Sequence, residues 1–476
     1  MLLSNRQNLN SFSGFREMNL GFFLLFLLKQ GTFIMYSRTK ITGGMMLLFA
    51  LGGMPEALAS YSHSDGGLLT DSHLDATLKN VWMLNTTDAM ADQGIGDQNA
   101  WAQALHLDWQ SGWLWDLVGV DASWYGVAKL YANDAFYGRD LLRDKNGKAQ
   151  GFNKLGQLYA KARWGDAGRH LNLWVGWRQL YKFGALNVTR SRAAPSTWEG
   201  VSAEFAWDDF GAKAAVVNRF SERDEPEKRR FRTLKTNKQI DYIATSELSW
   251  SPVKGSKISY IAAESDSYLL RHGLEANTVV PLGKDFNLLA RGTYYYARGL
   301  SDWEGARGFS RTAQHLFALV GYQYGRAESG LGWSHTRAPL DNGLGHFYWH
   351  FGKNTRGAFN SKADGEGNDY INDGEQMLYL YSQYQILPEL LVGIYGNYGF
   401  GMQYKGVDLK EWEYGGYFLW HSPQVKGLNV FAGFGPSYSW KLTPARMPSL
   451  DEKNHSFRRA KGVGGSVRVE YRFNLF

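Results

Sequence analysis

Apolar and polar residues alternate along the final stretch of the chain, Gly462–Phe476, which reads GVGGSVRVEYRFNLF. Val463, Gly465, Val467, Val469, Tyr471, Phe473 and Leu475 share one parity; Gly464, Ser466, Arg468, Glu470, Arg472 and Asn474 share the other. Successive side chains of a strand point to opposite faces, so this pattern predicts a strand with one oily and one charged face. The same period recurs along the chain with aromatic residues near the ends of each run. It predicts about eighteen strands between Leu74 and Phe476 and almost no helix.

The connections carry a second signal. Short ones, such as Gly165–Arg169, Asp209–Gly211, Pro252–Gly255 and Gly325–Arg326, are rich in Gly, Asp, Pro and Lys, the residues of tight turns. They alternate with long ones, among them Tyr131–Asn153, Tyr181–Gly200, Ala338–Gly374, Met402–Lys410 and Lys441–Ser456. One junction, near Asp266, breaks the rhythm by being short where a long loop is due. A soluble sheet also alternates oily and polar faces, but it has no reason to keep all its short turns at one end. The prediction is an all-β, antiparallel transmembrane barrel of about eighteen strands, with short periplasmic turns, long extracellular loops, lipid outside and water inside.

Parity then assigns the inward residues. Lys129, Lys161, Arg163, Arg178, Arg291, Arg468 and Arg472 fall on lumen-facing positions, since the same charges in hydrocarbon would cost about 2–4 kcal/mol each near midplane. Strand direction puts Lys129 and Arg178 near the outer mouth, Lys161, Arg291 and Arg468 near the middle, and Arg163 and Arg472 nearer the periplasm. Tyr159, Trp174 and Tyr295 are inward aromatics. Basic groups at successive depths suit the passage of an anionic solute. Inward acids, Asp121, Glu204, Glu247, Glu275 and Glu470, are available to pair with them.

Composition agrees with a barrel. The chain has 476 residues with 55 Gly, 18 Trp, 27 Tyr, 27 Phe and no Cys, and a mean hydropathy of −0.38. The net charge of +7 is spread singly along strands rather than in a basic run, which excludes a nucleic-acid-binding surface. Residues 35–59 carry Arg38 and Lys40, an apolar core from Ile41 to Leu51 and an Ala57-Leu58-Ala59 cleavage site, the form of a secretory signal peptide. Residues 1–34 read as an extension ahead of a true start at Met35, leaving 60–476 as the barrel.

Several segments resemble the OprD-type outer-membrane porins. They are Leu69–Asp75 with Leu78-Lys79-Asn80, Trp101-Ala102-Gln103 through Trp113, Phe220-Ser221-Glu222 and Tyr268–Pro281. Ser191–Gly200, SRAAPSTWEG, matches an S-R-x-x-P-x-T-x-x-G box; upstream, Gln179–Phe183 lacks the family's proline-containing run. The resemblance implies a substrate-selective channel of Gram-negative outer membranes, a monomer or loose trimer, taking up small solutes with a carboxylate (amino acids, peptides, organic acids). A branch of the family implies sugars instead. It further implies that the third and seventh outer loops narrow the pore, which makes Arg190, Ser191 and Arg192, and Asp364, Glu366, Asp369 and Asp373, constriction candidates. Outer-membrane lipid, lipopolysaccharide and, through Phe476, the barrel assembly machinery would be its partners.

No cofactor or metal is expected: the acidic loop does not fit the D-x-[DN]-x-[DN]-G spacing of a calcium loop. Ser334-His335 is raw material for a hydrolase, but nothing in the sequence sets an acid beside the pair.

Overall fold

A computed structural model of the chain describes residues 67–94, 96–133, 140–144, 146–305, 308–353, 355–363 and 365–476. Residues 1–34 and 35–59, expected to be an extension and a signal peptide, lie outside them. Eighteen strands make the wall: β1 (His73–Thr87), β2 (Gln98–Gln110), β3 (Val118–Ala132), β4 (Phe152–Gly165), β5 (Arg169–Arg178), β6 (Thr197–Trp207), β7 (Phe210–Ser221), β8 (Ile243–Trp250), β9 (Lys257–Ser265), β10 (Leu269–Pro281), β11 (Phe286–Gly299), β12 (Thr312–Tyr324), β13 (Ala327–Arg337), β14 (Gln376–Leu387), β15 (Leu390–Tyr404), β16 (Val407–His421), β17 (Leu428–Trp440) and β18 (Arg459–Asn474). Each pairs antiparallel with the next. β18 meets β17 on one edge and β1 on the other, from Asp75 opposite Asn474 to Thr87 opposite Gly462. The wall is therefore closed, as a membrane requires of a sheet whose edges cannot be left unpaired.

One end carries the short turns, 111–117, 166–168, 208–209, 251–256, 282–285, 325–326, 388–389 and 422–427. The other carries the outer loops L1 to L9: 88–97, 133–151, 179–196, 222–242, 266–268, 300–311, 338–375, 405–406 and 441–458. L5 is short, as the Asp266 junction implied. L8 departs from the expected Met402–Lys410 loop. Here β15 and β16 continue past the expected limits and close on Lys405-Gly406, both at positive φ (49° and 79°), the backbone of a two-residue hairpin. A bulge between Gly399 and Met402 shifts the register and so the apolar phase, which hides these strands from a period-two reading. L4, expected as a long connection over Glu222–Gln239, holds a further strand, Lys228–Arg232, paired to the end of β7.

Outward residues of the wall are apolar and uncovered, with Leu380 61% and Ile394 65% exposed. Inside, one sector carries a large apolar cluster. Ala215, Val217, Ile243, Ile261, Phe317 and Met377 face inward and are buried with Leu180, Phe183 and Leu186 of L3 and Phe347, Tyr348 and Phe351 of L7. Two outer loops fold into the barrel and pack on this sector.

Candidate channel constriction

A loop inside a barrel has backbone groups that need partners. Inward side chains of the wall supply them. For L3, Thr245 Oγ1 accepts from Ala185 N at 2.9 Å and Glu247 from Gly184 N at 3.2 Å. Trp198 Nε1 donates to Asn187 O at 3.0 Å, His106 Nε2 to Ala193 O at 2.7 Å, and Lys79 Nζ to Arg190 O. Gly184 stands at φ +58°, where a Cβ would meet Thr245 Oγ1 at 2.5 Å, so glycine is required there.

L7 is tied down more heavily. Arg271 donates to Trp349 O at 2.6 Å and to Ala358 O, and Arg291 to Asn360 O at 2.7 Å. Tyr295 Oη accepts from Asn360 N at 2.9 Å. Glu413 accepts from the amides of Glu366, Gly367 and Asn368. L3 and L7 also join each other: Ala358 N donates to Ala185 O at 2.6 Å, and Asn187 N to Arg356 O at 3.2 Å. The two loops form one cross-linked partition within the wall.

The turn Thr189–Arg192 of L3 borders a chamber on each side. The inner chamber, of 390 Å³, is lined by Thr77, Lys79, Asp108, Asp121, Tyr159, Arg178, Arg190, Glu470 and Arg472, among others. The outer chamber, of 420 Å³, lies against Thr189, Ser191 and Arg192 on L3, Arg356, Glu366 and Asp369 on L7, and Glu222 and Arg223 on L4. Arg190 thus faces inward and Arg192 outward from the same turn.

All but one of the expected residues fall among the described ones. Lys129 is opposite Ala102, a fully buried inward residue. Lys161 pairs with Asp121 at 2.6 Å and donates to Ser111 O at 3.1 Å. It shares the Trp113 ring with Arg163, which donates to Asp116 O. Both therefore belong to the periplasmic end, and Lys161 is lower than mid-depth. Arg178 is at the tip of β5 but not at the outer mouth. β5 has ten residues beside fourteen in β4, and Leu158 is opposite Trp177, so the wall here ends halfway up and L3 leaves from that height.

Arg178 donates to Ser202 Oγ at 3.0 Å and stacks on Trp174 at 3.6 Å. Arg190 donates to Gln179 Oε1 at 3.1 Å and lies 4.2 Å over Tyr181. Ser191 Oγ accepts from Arg192 at 3.1 Å. Arg468 stacks on Phe431 at 4.1 Å, and Arg472 pairs with Asp75 across the seam.

Tyr159 donates to Asp121 at 2.8 Å and borders the inner chamber. Tyr295, by contrast, is buried beneath L7 and donates to Glu275 at 2.6 Å, so its ring is removed from the lumen. Asp373 accepts from Ala338 N at 2.6 Å and clasps the base of L7. Asp364 lies outside the described residues.

Sequence reasoning missed Lys79, His106, Lys154, Arg223, Arg271 and Arg356. For Lys79 and Arg271 a signal existed, a cation at inward parity on its strand. Lys154 anchors L4 through Glu222 O and Ser221 Oγ. Glu222 keeps a little surface toward the outer chamber. Even so, burial, then the neighbouring Asp224, push its carboxyl up to about 8. Ser334 is buried on the inward face and His335 follows it on the strand, so the two side chains point to opposite faces and cannot act as a pair. Among the described residues no group of His, Asp and Glu is arranged to hold a metal.

A family model for the outer membrane porins of the OprD family matches residues 66–430. Solved structures agree in fold. Acinetobacter baumannii OccAB1 is 16% identical at a TM-score of 0.72, covering 88% of this chain and 100% of its own. OccAB3 of the same organism is 18% identical at 0.70, covering 86% and 100%. Pseudomonas aeruginosa OccK8 (OprE) is 16% identical at 0.68, also covering 86% and 100%. No curated protein sequence matches the chain. A closed eighteen-strand wall, an internal partition of two loops and a family match over most of its length lead to one conclusion: the chain belongs to the OprD family of outer membrane porins, passive, substrate-specific channels for small solutes in the Gram-negative outer membrane.

Proposed function

We propose that this porin takes up small solutes bearing a carboxylate, and that Arg178 and Arg190 receive the anionic group on the inner side of the L3 turn, with Arg192 facing it from the outer side. The observation that carries the reading is how these two arginines are held. Other inner-chamber cations have acidic partners: Lys79 with Glu470 and Arg472 with Asp75. Among the described residues Arg178 and Arg190 form no ion pair; amide or hydroxyl oxygens and aromatic faces hold them. A carboxylate 4 Å from such a guanidinium gains about 4 kcal/mol at an effective dielectric of 20, before desolvation is counted. On the outer side, Glu366 and Asp369 border the chamber and suit the cationic or polar end of an amino acid or peptide.

The sugar-channel alternative needs free aromatic faces for stacking. Three near the partition carry cations, Trp174 under Arg178, Tyr181 under Arg190 and Trp349 under Arg356, and Trp113 at the periplasmic end is covered by Lys161 and Arg163. That favours the acid. P. aeruginosa OpdK, 16% identical, has been crystallised with vanillate, an aromatic carboxylate, which makes that compound a natural first probe.

The test is reversal potential and solute block in planar bilayers, comparing the native protein with Arg178→Gln/Arg190→Gln. Native channels prefer anions and are blocked by vanillate, whereas the variant loses the block and only part of the anion preference. Unchanged anion preference and block in the variant would refute the proposal, as would block by chito-oligosaccharides but not by carboxylates.

A further inference from the structure

The membrane-facing side of β13 to β16 is not uniformly filled. One row of paired residues crosses it: Leu331 opposite Leu380, Leu380 opposite Gly396, and Gly396 opposite Tyr414. Large side chains stand on both sides of a glycine, so the row has a gap. The row above is aromatic, Tyr398 opposite Trp412 and Trp412 opposite Tyr438, with the Trp412 and Tyr438 rings stacked at 4.9 Å. Such aromatics mark the edge of the hydrocarbon. The result is a shallow groove of 620 Å³, lined by Leu331, Leu378, Leu380, Tyr398, Trp412 and Tyr414, by Lys410 and Arg459, and by Asn397 and Glu413, whose side chains turn into the barrel.

Lys410 is four residues nearer the outer end of β16 than Tyr414, about 13 Å along the strand. Among the described residues neither Lys410 nor Arg459 makes an ion pair. An oily trough within the hydrocarbon, topped at the outer end by two unneutralised cations, has the charge layout of a lipid with acyl chains below and anionic groups above.

We infer that this groove holds one molecule of a phosphorylated, acylated glycolipid of the outer leaflet, lipopolysaccharide. An acyl chain lies over Gly396 between Leu380 and Tyr414, and a headgroup phosphate meets Lys410 and Arg459. A phospholipid such as phosphatidylethanolamine lacks a net negative headgroup, and a second porin copy would have to place an acidic group against both cations.

The barrel can be tested without disturbing its fold. A Cβ on Gly396 would come no closer than 3.8 Å to Glu413 O or Tyr414 Cβ, ordinary contact, so Gly396→Leu fills the trough from outside. Native mass spectrometry on detergent-washed protein would be run after incubation with purified rough lipopolysaccharide or with phosphatidylethanolamine. The native protein retains one lipopolysaccharide and no phosphatidylethanolamine. Lys410→Gln/Arg459→Gln lowers retention on the order of tenfold, as loss of two interfacial charge contacts implies, and Gly396→Leu lowers it independently. Conductance of both variants in lipopolysaccharide-free bilayers matches the native channel. Three results overturn the inference: equal retention by both variants, equal retention of the two lipids, or a change in copy number rather than lipid load on filling the trough.

Discussion

Glu222 is an acid placed where its charge is poorly tolerated. It stands at the start of L4, with Arg223, Asp224, Glu225 and Arg143 around it, and its folded pKa is lifted to about 8 by burial first and Asp224 second. An acid whose pKa is raised on folding binds its proton more tightly when the loop is closed. The closed loop is therefore favoured below the carboxyl's ordinary range and loses that advantage as pH climbs towards 8. Hydrogen exchange across 222–232, corrected for intrinsic rates, should quicken between pH 5 and 9, and Glu222→Gln should flatten the slope. The same slope in the variant would assign the effect to other groups. This was not legible in the sequence, because parity says which face a residue takes on a strand and nothing about a loop. Lys161 and Arg291 show the limit on strands. Their inward direction followed from alternation, but a donor aimed at a loop carbonyl and a donor aimed at lumen water obey the same pattern. Only the folded chain shows that Arg291 holds Asn360 O and that Lys161 neutralises Asp121.

Strands were the most legible elements, since lipid on one side demands an unbroken oily parity. Where the parity failed to reveal a strand, a bulge had shifted it, as between Gly399 and Met402. Loops were the least legible, because L3 and L7 get their shape from partners 47 to 111 residues away. Arg271 is the pin of L7: it is 1% exposed and donates to two loop carbonyls, with the rings of Tyr295 and Phe351 5.2 and 5.1 Å from its guanidinium. Hydrogen bonds from a charged donor are each worth about 1.5–3 kcal/mol in net terms. Arg271→Met keeps the apolar bulk and removes both bonds. The wall, held by its own ladder, should stay compact and resistant to heat in detergent. L7 should loosen, so limited proteolysis should cut within 338–375 and single-channel current should become larger and noisier. Native-like protease resistance would show that the apolar packing of Phe347, Tyr348 and Phe351 suffices without the arginine.

At the scale of the whole molecule, two sources of anion preference compete. One is the field of all fixed charges, a net +4 over residues 60–476 with 47 basic and 43 acidic groups, which reaches into the approaches of the pore. The other is the local site at the L3 turn. Salt separates them, because the Debye length falls from about 10 Å at 0.1 M to about 3 Å at 1 M. A diffuse field felt across a wide vestibule fades over that range. A carboxylate in direct contact with Arg178 or Arg190 sits inside the shortest of these lengths, and the partition keeps counter-ions from crowding between them. The chloride-to-potassium permeability ratio should therefore fall severalfold from 0.1 to 1 M salt, while vanillate block weakens much less. Arg178→Gln/Arg190→Gln should reverse the emphasis, keeping much of the salt-sensitive ion preference and losing the block. If block and ion preference fell together with salt, the solute would be responding to the general field, and the two arginines at the partition would be part of that field and not a binding site.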